Sequence, residues 1–466
     1  MLLKNALTKV PTLQFMIEDL DLKSSVGKRF LLDFPMLQTA NAIEIELNLV
    51  EKVLESLVLK STFYTKLQTK LSQLRDINGS IKNIGKNLVL DDIELFEIKH
   101  FAIIVQDIFN LQKEYQLQLI ELPSLQEVIE ILDPHQTNIP SFYIYDVYSD
   151  ELAFIRKKIK TCKNTQYQIE EECLKELDSL FAQAEVLEVG VRSLLCEKLR
   201  ISHKNLEIAL NNLAHIDVVV AKANQAQKMN LCKPTFSDSS TKYISMFNPQ
   251  IKQTLHLQQK KFQPVNIKLD KSVCFITGAN MAGKTVVLKT VALCQYLYQF
   301  GFYIPAEIAE IAIVDKIMFL FEDEQSEGEG LSSFASEMLK VNVMVEEALK
   351  GTNVLILIDE LARTTNPIEG KAIVNAVANI FFENNTRSLI TTHYSGLSSH
   401  CRKLRVKGLD QAISLETFNN YNINNFIDYS IIDDGIGDTP HEALHICTIL
   451  GINQEIISKA QNHLNN

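Results

Sequence analysis

Apolar residues recur at helical spacing through most of the first 240 positions, and give way after that to short runs that suit strands. Ala42 to Leu59, Ile103 to Leu119, Cys173 to Leu199 and Leu206 to Ala221 each carry the i, i+3, i+4 rhythm of an amphipathic helix. No heptad persists long enough to require a coiled coil. Pro123, Pro134 and Pro140, with an apolar, tyrosine-bearing run from Phe142 to Tyr148, interrupt the helices. Further on, Val273 to Ile276, Val354 to Ile358 and Ser388 to Ile390 read as buried strands, and Val286 to Gln299 as the helix after the first of them. Phe426 to Ile432 predicts another strand before a Gly-rich turn at Asp434 to Asp438. His441 to Leu450 and Gln454 to Leu464 then read as two helices separated by Gly451. The pattern predicts a helical domain over 1–240 and an α/β domain over 241–466.

Each of the three strands ends in residues with chemistry. After the first, Gly278, Gly283, Lys284 and Thr285 satisfy GxxxxGK[ST], between a strand and a helix as a phosphate loop requires. Two glycines let successive backbone N–H groups turn toward one anion at the positive end of the following helix. The expected nucleotide cradle is Gly278, Ala279, Asn280, Met281, Ala282, Gly283, Lys284, Thr285 and Val286. Lys284 would reach the β and γ phosphates of ATP, and the Thr285 hydroxyl would ligate Mg²⁺. The second strand ends in Asp359 and Glu360, paired carboxylates that can divide two jobs, Asp359 holding Mg²⁺ and Glu360 orienting or deprotonating water. The third leads through Thr391 and Thr392 to His393, placed to sense the γ phosphate or the attacking water.

The strings TGANMAGKT, GLSSFASEM at 330–338, LILIDELARTTNPIEG at 355–370 and TTHYSGL at 391–397 resemble, in wording, order and spacing, the ATPase domain of the MutS family, a branch of the ABC-type ATPases. The resemblance implies an α + α/β fold: a helical core and lever domain, then an ABC-type P-loop ATPase domain with a C-terminal helix-turn-helix, at about 435–466, used for dimerisation. It implies that Ser332 and Ser333 act as the signature serine and its neighbour, reaching the γ phosphate bound by the other subunit. It also implies that Arg363, Thr364 and Thr365 form a loop coupling two sites. The sequence departs from the family at Ala279 and Ala282, where proline and glycine are usual, and at Leu331, where arginine is usual, which bears on the strength of the trans contact. A weaker likeness covers residues 22–57 and Leu206 to Pro234, which resemble the family's core and lever helices, and Phe262 to Asn266, which resemble the lead into the phosphate loop. Against full-length mismatch-repair members, the mismatch-reading and connector domains are expected to be missing, and little room is left for a clamp. The one Phe-x-Glu triplet, Phe381 to Glu383, falls in an expected ATPase helix and is assigned to packing.

Composition adds limits. The chain has 466 residues, 46% hydrophobic and 22% charged, with no apolar run near a membrane span and no secretory signal pattern, so a cytoplasmic protein without a membrane partner is expected. Eight scattered cysteines contain no CxxC pair, which removes the usual zinc and iron–sulfur spacings. Net charge is −11, so nothing draws the whole chain toward nucleic acid, and the densest basic patch, Lys157, Lys158, Lys160 and Lys163, reads as a solvated helix face. The function expected is a MutS-like ATPase that binds and hydrolyses ATP with Mg²⁺ as a dimer, with itself or a related chain, and moves lever helices while acting on duplex or branched DNA. The alternative is a protein-remodelling ATPase with a protein client, because short MutS-like chains similar to this one are associated with reactivation of a cobalamin-dependent lysine aminomutase.

Overall fold

In the computed structural model the three chemistry-bearing runs become three adjacent parallel strands of one sheet. The structure describes residues 1–137, 141–164, 171–278, 282–321, 333–363, 365–409, 427–434, 444, 447–448 and 452–464. The chain divides into two units, one of Met1–Leu20, Pro35–Asn48 and Gln225–Asn466, the other of Asp21–Phe34 and Leu49–Asn224.

The first unit holds all ten described strands: β1 (Thr235–Phe236), β2 (Thr241–Met246), β3 (Val265–Leu269), β4 (Val273–Thr277), β5 (Ile308–Ile311), β6 (Lys316–Leu320), β7 (Val354–Ile358), β8 (Arg387–Thr391), β9 (Arg402–Leu409) and β10 (Ile427–Asp433). A four-stranded sheet runs β1-β5-β2-β3 and a six-stranded sheet runs β10-β9-β4-β8-β7-β6. In the larger sheet only the β10–β9 pair is antiparallel. β4, β7 and β8 are buried at every position, as expected of parallel strands covered on both faces. Val341, Met344, Val374, Ala378 and Phe381, from the helices Ser333–Leu349 and Pro367–Glu383, pack with Phe275, Ile356, Ile358 and Ile390 into one core. Phe381 is fully buried there, so the Phe-x-Glu triplet begins with a packing residue.

Helix Lys284–Gln299 follows β4 directly and is buried along almost its whole length. Its burial explains the near-unbroken apolar run of the sequence. Helix Pro367–Glu383 begins where Pro367 fixes the first turn and the Asn366 side chain accepts from the Ile368 N–H at 2.9 Å. At the C-terminus the helix Gln454–Leu464 is present, whereas His441–Leu450 falls almost wholly outside the described residues, as does the turn at 435–438.

The second unit is helical. Its longest helices include Asp92–Glu114, Asp150–Asn164 and Glu171–Ile201. Asp92–Glu114 starts earlier than the apolar rhythm predicts because Asp91 and Glu94 form a reciprocal capping box. It stops earlier because Gln116 turns left-handed, at φ 47°, and Leu117 N–H returns to Gln112 O at 2.9 Å. Lys99 and Asp133, both fully buried, lie 3.3 Å apart, and Ser141 O and the Thr137 hydroxyl satisfy the rest of the pair at 2.9 Å each. This pair ties the proline-interrupted segment to the long helix. The lysines at 157, 158, 160 and 163 are exposed, and Lys158 and Lys163 lie over the rings of Phe154 and Phe181. Among the described residues no helix is long and apolar enough to cross a membrane.

Candidate nucleotide site

Strand order places the ends of β4, β8 and β7 side by side: Ile276 is in register with Thr391, and Ile358 with Ile390. Ligands of open α/β sheets bind beyond the carboxyl ends of such strands. Gly278, with φ 140°, and Gly283, with φ 80°, carry the turn out of β4 into the helix. A Cβ on Gly278 would meet Val406 Cβ at 3.4 Å, and one on Gly283 would meet Tyr429 Cδ1 at 3.3 Å. The backbone therefore has glycines where side chains would strain the loop and crowd its walls.

Lys284 is 4% exposed, and its Nζ donates to Gly278 O at 2.8 Å and lies 3.5 Å from Glu360 Oε1. The Thr285 hydroxyl donates to Asp359 Oδ2 at 2.7 Å. The Thr391 hydroxyl donates to Asp359 Oδ1 at 2.6 Å and accepts from Glu360 N–H at 3.0 Å. Asp359 is thus held from both sides, by the phosphate-loop helix and by β8.

Just past β7, Glu360 and Ala362 are both left-handed, with φ of 51° and 58°. Such positions cost about 1–3 kcal/mol each and need support from their surroundings. Here Ala362 N–H donates to Glu337 Oε1 at 2.7 Å and its carbonyl accepts from the Tyr394 hydroxyl at 2.8 Å. Burial pushes the Glu337 carboxyl above the usual carboxylate range, against the Ala362 N–H that lowers it. Gly370 completes the support, since a Cβ there would collide with the Tyr394 hydroxyl. Arg363 Nη1 approaches Glu360 Oε2 at 3.4 Å.

His393 is exposed at the end of β8, its ring 4.3 Å from that of Tyr394. Ala282, Gly283, Lys284, Thr285 and Val286 lie at the start of the buried helix and its preceding turn. Ala279, Asn280, Met281, Leu331, Ser332 and Thr364 lie outside the described residues, while Ser333 is the first residue of the helix Ser333–Leu349.

Beside Ala282, Gly283 and Val286 opens a mainly apolar cavity of about 250 Å³, walled also by Met246, Leu255, Phe262, Val265 and Tyr429. Tyr429 comes from β10, far along the chain from the phosphate loop, and sequence motifs give no hint of it. Thr391 was legible only as a neighbour of His393, and its bonds to Asp359 and Glu360 depend on β8 lying between β4 and β7.

The donor set suits Mg²⁺. A hydroxyl and a carboxylate oxygen converge between Thr285 and Asp359, the hard oxygen donors that ion prefers. Among the described residues no group of three or more His, Cys, Asp or Glu side chains forms an all-protein metal site. A cation at Thr285 and Asp359 would therefore complete its shell with water and phosphate oxygens, as Mg²⁺ commonly does.

Comparison with known proteins agrees with this geometry. Residues 274–466 match the family model for MutS domain V. The chain is 24% identical to the endonuclease MutS2 of Caldanaerobacter subterraneus subsp. tengcongensis, over 95% of this chain and 61% of that one. It is 29% identical to the endonuclease MutS2 of Caldicellulosiruptor bescii, over 71% of this chain and 39% of that one. It is 28% identical to the DNA mismatch repair protein MutS of Roseiflexus castenholzii, over 67% of this chain and 29% of that one. The chain therefore spans less than two thirds of the length of these relatives. With a matching domain V that contains the converging strand ends, the chain belongs to the MutS family.

Proposed function

We propose that the chain is a Mg²⁺-dependent ATPase that closes as a dimer around ATP and uses the closure to act on DNA. The observation that carries this reading is the convergence of Thr285 and Thr391 on Asp359, and of Lys284 on the adjacent Glu360, at the ends of three parallel strands. In this reading residues 278–286 cradle the phosphates, and Lys284 leaves Gly278 O and Glu360 for the β and γ oxygens. Thr285 and Asp359 hold Mg²⁺, which when bound screens the charge of the phosphates. Glu360 takes a proton from the attacking water, and His393 stands over the γ phosphate. The apolar cavity walled by Phe262, Val265 and Tyr429 receives the base. Domains at 1–240 and 241–466, with Ser332 and Ser333 reaching the γ phosphate of a second subunit, give that phosphate contacts that exist only before hydrolysis.

DNA is proposed as the client because the relatives are named as a mismatch repair protein and as endonucleases. The net charge of −11 favours the other reading, a protein client. Steady-state ATP hydrolysis by the pure protein, alone and with duplex, mismatched and four-way-junction DNA at two salt concentrations, separates them. Stimulation that weakens as salt rises supports DNA, because phosphate contacts release counterions. Hydrolysis indifferent to every DNA overturns that part, and absence of hydrolysis overturns the ATPase reading.

A further inference from the structure

One polar side chain in the wall of the apolar cavity spends its hydrogen bonds on the strand behind the wall. Gln263 lies between helix Pro249–Leu257 and β3, and lines the cavity beside Phe262 and Tyr429. Its Oε1 accepts from Tyr429 N–H at 2.9 Å. Its Nε2 donates to Asp428 Oδ1 at 2.7 Å and to Ser430 Oγ at 3.1 Å. A single amide therefore grips three consecutive residues of β10, and the middle one is the tyrosine that faces Gly283.

β10 is irregular at this point. Asp428 pairs with Gly408 and Ile431 with Val406, so three steps along β10 answer two along β9. Such a bulge puts one residue outside the ladder and re-aims its side chains. Tyr429 lies inside the bulge, and its ring stands 3.3 Å from the position a Cβ on Gly283 would take. Asp428 folds back over the same bulge. Its Oδ1 accepts from Ser430 N–H at 2.9 Å and from the Ser430 hydroxyl, while Lys407 Nζ reaches Oδ2 at 2.8 Å. Burial raises the Asp428 carboxyl, but the bonds from Lys407, Ser430 and Gln263 outweigh it and hold the group well below the usual carboxylate range. It thus remains an acceptor for Gln263 at neutral pH.

We propose that Gln263 is a positioning residue that locks the Tyr429 bulge of β10 against the phosphate loop and so sets the affinity of the cavity for a nucleotide base, without reading the base. The inference rests on the reading of the cavity as the base site. A side chain that tells one base from another needs a donor to offer it, and both Nε2 hydrogens of Gln263 are already engaged. Its effect on the nucleotide must therefore pass through Tyr429.

Equilibrium binding of the β,γ-imido analogues of ATP and GTP, with Mg²⁺, to the full chain tests this. Gln263→Met keeps the length of the side chain and removes its hydrogen bonds, and Gln263→Ala removes both. Each should weaken both analogues by about fivefold, the scale of one or two neutral hydrogen bonds, and leave their ratio unchanged. In a Tyr429→Ala background neither should weaken binding further, because the ring they position is gone. Gln263→Met binding like the wild type would overturn the proposal, since filling the wall would then suffice. A changed ratio of the two analogues would overturn it in favour of direct base reading, and a full further loss in the Tyr429→Ala background would show that Gln263 acts by another route. If Tyr429→Ala alone leaves binding unchanged, the base-site reading falls and this proposal with it; if Tyr429→Ala weakens binding and the Gln263 variants do not, this proposal alone falls.

Discussion

Lys284 Nζ lies 3.5 Å from Glu360 Oε1, joining the phosphate loop to the end of β7 through two side chains that the proposed reaction uses separately. The lysine is almost wholly buried and also donates to Gly278 O, so its charge is satisfied inside the protein. In the proposed reaction a phosphate entering the loop would draw Lys284 from Gly278 O and from Glu360, and so would couple nucleotide binding to release of the base. Lys284→Ala removes the cation from both states. ATP turnover should fall by about a hundredfold or more, the scale lost when a preorganised charge is removed from a transition state. Unchanged turnover in pure protein would contradict the assignment of the site.

Glu360→Gln keeps the shape of the side chain and removes its ability to take a proton. Turnover should drop by about 10²–10⁴-fold while ATP still binds. With hydrolysis blocked, the ATP-bound dimer should accumulate. The check is sedimentation of this variant with and without ATP. Equal mass in both conditions would rule out closure driven by nucleotide.

Thr391 offers a positioning role that can be separated from chemistry. Its hydroxyl satisfies Asp359 Oδ1 and the Glu360 N–H at once. Thr391→Val leaves both without a partner, at about 1–3 kcal/mol for an unsatisfied buried group. The expected result is a fall in kcat of about tenfold or more with a nearly constant KM, restored by Thr391→Ser. A variant that lowers ATP affinity and leaves kcat alone would place Thr391 outside the reacting geometry.

The contrast between these residues shows what the chain makes legible. Gly278 to Thr285, Asp359 with Glu360, and His393 could be read because each lies in a contiguous string at the end of an apolar run. The strands β4, β7 and β8 fell where those runs predicted them, since strands buried on both faces leave an unbroken apolar signature. The bonds of Thr391 could not be read, because they follow from a strand order that no local pattern encodes. The same holds for Tyr429, which reaches Gly283 only because β10 pairs with β9 beside β4. The start of helix Asp92–Glu114 was missed for a different reason, in that capping by Asp91 and Glu94 is a polar signal that apolar periodicity ignores.

Tyr429 also makes a prediction about the base. Its ring stands 3.3 Å from the position a Cβ on Gly283 would take, and it walls the apolar cavity beside the loop. Tyr429→Ala should raise KM for ATP by up to about tenfold, the loss of roughly one aromatic contact, and alter kcat little. Gly283→Ala should be far more damaging, and adding Tyr429→Ala should not rescue it. Removing the ring relieves the crowding but not the φ of 80° that an alanine must adopt. Rescue by the double variant would mean that crowding, and not backbone conformation, requires glycine there.

Within the helical unit, Asp217 supplies a prediction about pH. It is almost fully buried, and its carboxylate accepts from Lys23 N–H at 3.0 Å, Ser24 N–H at 2.8 Å and the Ser24 hydroxyl at 2.7 Å. Ser24 in turn caps the helix Ser25–Leu32 through Gly27 N–H, and Gly27 must be glycine because a Cβ there would strike the Asp217 carboxylate. Burial raises the Asp217 carboxyl above the usual range, outweighing the three donors that lower it. A carboxyl whose folded pKa is raised binds a proton in the folded state before it does in the unfolded one. Stability from this group therefore increases as pH falls through its raised value, levels off below the ordinary carboxylate value of about 4, and is lost again as pH rises. Asp217→Asn abolishes that titration and replaces one accepting oxygen by a donor that faces Lys23 or Ser24. Urea unfolding should show it less stable by about 1–3 kcal/mol at pH 7. The gap between it and wild type should widen as pH falls toward 4, because only the wild type gains stability from the buried proton. A gap that narrows would mean that the Asp217 carboxyl lies below the usual range, and that its donors outweigh its burial.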